Sequence, residues 1–371
     1  MRWSLLAGGL VSSLLIVLAA ASAGAQAPEA SRISGPIVHE NLAVYFIHGK
    51  STPGKVPLTL EEALARGVVK VRETSNVNQL EIENLGDDEV FVQSGDIVKG
   101  GKQDRTLTVS VLLPPKSGAV PIASFCVEQG RWTARGGEDS RNFSTASASV
   151  PSRELKLAMK APVPAAPHRL GPEALAPQEA AEVGARQQQV WESVRATQSK
   201  LTGSLGSQVR SVQSASSLQL SLENEKLMDA QKGYVNALKS AGESEYDIVG
   251  FAFAVNGKIN SADVYPSNGL FRKMWAKLLT AGAIEAIMHK DEPAAAPPGT
   301  DAVQVFLAAA ESGKSTEREL NAGARLETRD AQNAFLFETS RPASPASPAA
   351  WCTATTWQSS AYFFACRAFA A

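Results

Sequence analysis

The sequence predicts an α+β fold, with a β-rich N-terminal sheet, central amphipathic helices, and a β-hairpin plus helix in the C-terminal half. Three observations predict it. Short apolar runs broken by Gly, Pro, Asn and Asp fill the chain up to about residue 130. Apolar residues at helical spacing follow between 178 and 240. Asn256-Gly257 then sits between two alternating runs, the strongest short-range hairpin signal, because a type I′ turn needs positive φ at both positions.

The elements justify themselves in chain order. Residues 41–47, 68–72, 79–83 and 89–93 read as strands bounded by turn residues. The run from Thr106 to Leu113 alternates, placing Leu107, Val109, Val111 and Leu113 on one face until Pro114-Pro115 stops it. Val120 to Val127 reads as one more strand. Residues 161–177 hold five prolines among alanines, an excursion rather than core. Val183, Val190, Trp191, Val194 and Leu201 share a face of a helix beginning near Gln178. Leu227, Tyr234, Val235 and Leu238 mark another, with Gly242 as its C-terminal stop. A two-residue turn at Asn256-Gly257 sets Val255 against Lys258, Phe253 against Asn260 and Gly250 against Asp263. That register puts Asp263 on a small face with Gly250, Ala252, Ala254 and Ser261, opposite Phe251, Phe253, Val255 and Val264. Ser267 caps a helix carrying Phe271, Met274, Trp275, Leu278 and Leu279 inward. Pro293 to Gly299 is a second linker, before a mixed helix and strand region.

The ends bound the setting. Arg2, an apolar run from Leu5 to about Ala21, and the small residues Ala23-Gly24-Ala25 read as a secretory signal over residues 1–25, cleaved after Ala25. The expected location is therefore periplasmic or extracellular. Arg2 is the only charge in that segment, so cleavage moves the net charge from −1 to −2, too near neutral to favour a nucleic-acid or anionic-membrane partner. The rest is expected to be a single domain over 33–340, soluble once the signal is removed, and then an irregular tail over 341–371. Oligomeric state is left open, and no residue pattern names a cofactor.

Chemistry-bearing residues concentrate in two motifs. Gly95-Asp-Ile-Val-Lys-Gly-Gly-Lys-Gln-Asp-Arg105 is a glycine-rich bend with three cations, Lys99, Lys102 and Arg105, that could present charge and backbone N–H groups to an anion. It is no P-loop: the spacing to Gly101-Lys102 is one residue too long and Gln103 stands where a magnesium-binding hydroxyl belongs. A charged hairpin with these cations paired to Asp96 and Asp104 is the competing reading. The second motif is Cys126-Val-Glu-Gln-Gly-Arg-Trp132. Cys126 beside a carboxylate is a poor nucleophile, because the negative charge raises its pKa. Glu128 and Arg131 are either an internal ion pair or an acid with a substrate clamp. The four histidines, His39, His48, His168 and His289, show no metal-ligand spacing, and no metal ligand is assigned.

Together with Ala254-Val-Asn-Gly-Lys258 and Ala262-Asp-Val-Tyr265, these motifs resemble the ARG-and-rhodanese-phosphatase-superfamily-associated protein domain, over roughly residues 38–340. The family is named for ADP-ribosylglycohydrolase and phosphatase neighbours, which implies an ADP-ribose-related or similar phosphorylated ligand. Members look as if they end in a strand with a His-Arg-Asn-Tyr-like segment. Here the codons of residues 350–358, read one base earlier, admit Val-Val-His-Arg-Asn-Tyr-Leu-Ala, so the tail reads as an out-of-frame translation.

The leading functional expectation is recognition of a small phosphorylated or nucleotide-like ligand. Its binding set is Asp96, Lys99, Gly100, Gly101, Lys102, Gln103, Asp104, Arg105, Gln129, Arg131 and Trp132. The alternative is a hydrolase on such a ligand, with Glu128 or Asp263 as general base and Asp96 or Asp104 assisting. A structural cell-envelope protein using its Ala/Ser/Gln-rich helices is the third. All three site segments are expected to converge on one hollow.

Overall fold

The computed structural model describes residues 32–151, 153–159, 177–319, 325–331, 334–342 and 363–370. The expected signal at 1–25, residues 161–176 of the excursion and the stretch 343–362 lie outside them. The chain enters through an antiparallel pair, β1 (Ile33–His39) and β2 (Leu42–His48). After β3 (Leu58–Thr59) comes helix α1 (Leu60–Ala65), which Thr59 and Glu62 cap reciprocally. A run of strands follows: β4 (Val69–Asn76), β5 (Gln79–Asn84), β6 (Val90–Val92), β7 (Asp96–Gly100), β8 (Arg105–Leu107), β9 (Val111–Leu113), β10 (Gly118–Cys126) and β11 (Phe143–Ser149). The helical centre comprises α2 (Arg153–Met159), α3 (Pro177–Leu205), α4 (Leu218–Leu222) and α5 (Glu225–Leu238), ending in a 3₁₀ turn at Lys239–Glu243. The hairpin β12 (Ile248–Val255) and β13 (Lys258–Val264) precedes α6 (Asn268–Met288) and α7 (Thr300–Glu311). β14 (Lys314–Glu319), β15 (Arg325–Ala331), β16 (Ala334–Pro342) and β17 (Phe363–Ala370) complete it. The fold is α+β with a β-rich N-terminal part.

An eight-stranded sheet runs β1-β2-β12-β13-β17-β16-β15-β14. A six-stranded sheet runs β11-β7-β8-β10-β5-β4, and its edge strands meet at an Arg72–Asn142 bridge, curling it toward a barrel. Val71, Leu80, Ile82, Val98, Leu107, Ile122 and Phe143 fill its inside. The small sheet β3-β6-β9 lies beside it in sequence. α6 covers one face of the eight-stranded sheet, where Phe46, Phe251, Phe271 and Trp275 meet edge-on or tilted with centroids 5.4–6.4 Å apart. α7 covers the other face, seating Val303, Phe306 and Ala310 against Tyr45, Ala252, Ala254 and Ala262. Small residues on that face let the helix approach closely. Among the described residues no helix is long and apolar enough to cross a membrane.

Four expectations are corrected. The alternating run 106–113 is not one strand: β8 belongs to the six-stranded sheet and β9 to the small one. The chain switches sheets at Thr108–Ser110, where Ser94 Oγ donates to the Thr108 carbonyl and Ser94 N–H to Ser110 Oγ, both at 3.0 Å. Gly242 does not stop α5, which ends at Leu238; it lies in the following 3₁₀ turn, where a Cβ would meet the Trp275 ring at 2.3 Å, so close packing rather than capping requires the glycine. In the hairpin Val255 does face Lys258, but a bulge at Asn260 shifts the rest. Phe253 faces Ser261 and Phe251 faces Asp263, so Ser261 and Asp263 join the bulky α6-facing side and Val264 the α7 side. Finally, the tail expected to be irregular contributes Phe363–Ala370 as a strand between β13 and β16.

Candidate functional site

The two motifs meet in the interior. β10 pairs with β8 so that Cys126 lies opposite Arg105, and Val127 N–H donates to the Asp104 carbonyl at 3.0 Å. This register sets the side chains of Asp104 and Glu128, both fully buried, beside one another. Two carboxylates in one dry space demand two cations, and Arg131 and Arg135 supply them. Arg135 grips Asp104 with both terminal nitrogens, at 2.7 and 2.9 Å, and reaches Glu128 at 3.3 Å. Arg131 Nε lies 2.7 Å from Glu128, and its terminal nitrogens donate to the Gly100 and Gly101 carbonyls at 3.0 and 3.1 Å. Gly100 N–H and Ser217 Oγ donate to Asp104 at 3.0 and 2.7 Å, and Asp104 N–H donates to Glu128 at 2.9 Å. Burial alone would lower the Arg135 pKa, but its bonds to Asp104 and Glu138 raise it above the ordinary guanidinium value. Arg135 and Ser217 escaped the sequence reading. Arg135 lies just past the second motif, its only local mark being Glu138 three residues on, and Ser217 is remote in sequence.

This network fixes what the loop from Gly130 to Arg141 can do. Arg131 and Arg135 anchor it to the turn between β7 and β8, where Gly101 packs against β11. With φ +55°, a Cβ there would meet the Phe143 ring at 2.3 Å. The clamped loop leaves Trp132 45% exposed, a large aromatic held at the surface by buried ion pairs. Lys102 Nζ lies 5.3 Å from the centroid of that ring, and the Arg105 guanidinium 5.9 Å from it.

The expected anion cradle is rearranged by this packing. Arg105 is not presented to a ligand: it is fully buried, bonded to Gln103 Oε1 at 3.0 Å and the Cys126 thiol, and 3.4 Å from Glu73. Lys99 is taken by Glu223 at 2.7 Å. Gln103 is internal, donating to the Glu128 carbonyl at 2.9 Å. Gln129 accepts from Arg195 at 2.8 Å at the surface. Glu128 and Asp104 are engaged internally: Arg131, Arg135 and the Asp104 N–H contact Glu128, while Arg135, Ser217 and the Gly100 N–H contact Asp104. Lys102 keeps its ammonium half-exposed, donating to Ser75 Oγ at 3.0 Å, and makes no ion pair among the described residues. Burial pushes the Cys126 thiol up to about 11 against the opposing pull of Arg105, so it stays protonated and unreactive near neutral pH.

Asp263 does not share that space. The bulge turns it toward α6, where Gln93 Nε2 donates to it at 3.5 Å. Gln93 also accepts from Tyr265 OH at 2.7 Å, and its N–H donates to Asp96, which pairs with Lys277 of α6 at 2.6 Å. Asp96 is thus committed to this second group. Nearby, Asn260 donates to Glu285 at 2.9 Å. Burial raises the pKa of Asp263, partly offset by Lys156, and burial followed by Glu154 raises that of Glu285. The folded state therefore holds protons that the unfolded chain releases in the ordinary carboxylate range. Their contribution is fully present below that range and is lost as pH rises toward the elevated folded values. Asp263→Asn is expected to reduce the fall in the urea midpoint between about pH 4 and pH 8. A slope unchanged from wild type would contradict it.

The comparisons with known proteins agree with this layout in extent. The family model described as ARG and Rhodanese-Phosphatase-superfamily-associated Protein domain matches residues 30–341, spanning both motifs and the hairpin. No curated protein and no solved structure matches the chain.

Proposed function

We propose, from the premise that the chain belongs to the ARG and Rhodanese-Phosphatase-superfamily-associated Protein domain family, that it recognises a small phosphorylated, nucleotide-like ligand on the Trp132–Lys102 surface. The observation that carries the reading is the exposed Trp132 ring beside a lysine with no ion pair among the described residues, on a loop locked by a buried charge network. A flat aromatic stacks a base in a sequence-tolerant way, worth about 1–3 kcal/mol, and an ammonium meets phosphate as a point charge. A rigid loop lowers the cost of ordering on binding. Arg141, exposed and held to β4 by the bond from Glu73 N–H to its carbonyl at 2.9 Å, offers a second cation in the same loop as Trp132. Binding without turnover fits the engagement of Glu128 better than hydrolysis does. The reading includes export, with residues 1–25 as the signal and a periplasmic or extracellular mature chain.

The test is a thermal-shift screen of the purified protein against ADP-ribose, nucleoside mono- and diphosphates and sugar phosphates, followed by calorimetry on any hit. Lys102→Ala and Trp132→Ala are each expected to weaken binding about tenfold or more, while the unfolding free energy changes by less than about 1 kcal/mol. A hit whose affinity is untouched by both substitutions contradicts the site. Product analysis on the same hit separates recognition from hydrolysis.

A further inference from the structure

At one end of the eight-stranded sheet, a histidine meets two carboxylates of a loop nearly 200 residues further along the chain, 199 in the case of Asp247. His48 ends β2, and Glu245 and Asp247 lie in the loop leading into β12, whose Ile248 pairs with His48. One ligand atom from each of these three side chains lies within 4.8 Å of the others. The loop is held from outside: Asn268 donates to the Glu245 and Ile248 carbonyls at 3.3 and 2.7 Å, and Arg272 to the Glu243 carbonyl at 2.9 Å. Gly49 N–H donates to the Asp247 carbonyl at 2.9 Å, fixing the loop to the end of β2. The imidazole is buried and the two carboxylates are partly exposed, so the cluster opens outward.

The contacts around the imidazole conflict in an informative way. His48 Nδ1 lies 2.9 Å from Asp247 Oδ1, which as a carboxylate only accepts, and 2.7 Å from Arg32 Nη2, which only donates. Nδ1 has one in-plane direction, carrying either a proton or a lone pair, so no tautomer satisfies both neighbours. The same Arg32 nitrogen lies 2.8 Å from Glu245 Oε2 and 3.4 Å from Asp247 Oδ2. It sits as a cation at the centre of the three groups. On the far side of the ring, Ser34 Oγ lies 2.8 Å from Nε2. Serine there accepts the Nε2 proton and leaves the Nδ1 lone pair free, the arrangement that orients metal-bound histidines.

We propose that His48, Glu245 and Asp247 form a binding site for a divalent transition-metal ion such as zinc, with Arg32 as a guanidinium latch that occupies the ion's place and swings out when it binds. One imidazole nitrogen and two carboxylate oxygens suit such an ion, and the spacing accommodates it only if Arg32 leaves. The Arg32 side chain is 54% exposed, so it has solvent to swing into once an ion takes over its partners. The site belongs to the fold's strand ends and stands independently of the Trp132 surface.

The experiment uses the protein purified without a histidine tag and stripped with chelator, titrated calorimetrically with zinc and with manganese. One saturable ion per chain is expected. Asp247→Asn and His48→Ala should each weaken it at least about tenfold, and Arg32→Gln should tighten it about threefold or more by removing the competing cation. Circular dichroism confirms that each variant is folded; if His48→Ala fails, Asp247→Asn still decides. An Arg32→Gln protein that takes up neither ion, or a stoichiometric ion whose affinity survives Asp247→Asn unchanged, overturns the assignment. Loss of stability in Arg32→Gln with no gain in affinity would make the cluster an ion-pair network alone.

Discussion

Asp104→Ala is expected to destabilise the protein by about 3–5 kcal/mol, read as a fall in the urea or thermal midpoint. Asp104 is fully buried and neutralises Arg135 through a two-point contact while accepting from Ser217 and Gly100. Truncation leaves Arg131 and Arg135 sharing the buried Glu128, with only the partly exposed Glu138 to balance the second guanidinium. The damage should be local as well as global. Hydrogen exchange should rise across Gly130–Arg141 before the strands β5 and β10 open, because those arginines are the anchors of the loop. A loss under about 1 kcal/mol would mean that water reaches the network and screens it.

Lys277→Ala is expected to cost a similar amount, about 3–5 kcal/mol, by stranding Asp96. Both side chains are nine-tenths buried or more, and the pair joins α6 to the start of β7 at 2.6 Å. The cause distinguishes itself by rescue. Combining Lys277→Met with Asp96→Asn removes both charges and keeps the volume, and should recover most of the loss, because a buried ion pair offers little over an apolar or neutral pair once both charges are gone. If the double variant is as unstable as Lys277→Ala, packing of the lysine stem rather than its charge is responsible. Double-mutant analysis of the two substitutions quantifies the coupling.

The sequence made local structure legible where the signal is local. Asn256-Gly257 forms the turn, with Asn256 at φ +50° and Gly257 at +76°, and Ser267 caps α6 through Leu270 N–H. The bulge at Asn260 was invisible because an extra residue leaves alternation looking intact on either side, yet it carries Asp263 to the other face. The split of 106–113 between two sheets was hidden for a related reason: Ser94, over ten residues upstream, dictates it. Of the three segments expected to converge, the two motifs meet, Gly100, Gly101 and Asp104 touching Glu128 and Arg131, while Asp263 lies elsewhere. Internal pairing, one of the two alternatives the sequence leaves open for the motifs' charges, is the one the structure shows for Lys99, Arg105, Glu128 and Arg131. Paired charges in a motif look the same on paper whether they face a ligand or each other, and only burial distinguishes them. The triad of His48, Glu245 and Asp247 spans a gap of 199 residues between His48 and Asp247, beyond any spacing rule.

On the proposed reading, the buried charge network of Asp104, Glu128, Arg131 and Arg135 holds Trp132 out as a recognition surface. Indole N–H resonances of uniformly ¹⁵N-labelled protein, with Trp132 assigned by its disappearance in Trp132→Phe, test it most directly. On titration with the tightest ligand from the nucleotide and ADP-ribose screen, the account predicts that the Trp132 resonance moves in step with binding and far more than that of buried Trp275. A ligand that saturates the protein while the Trp132 signal stays fixed would contradict it.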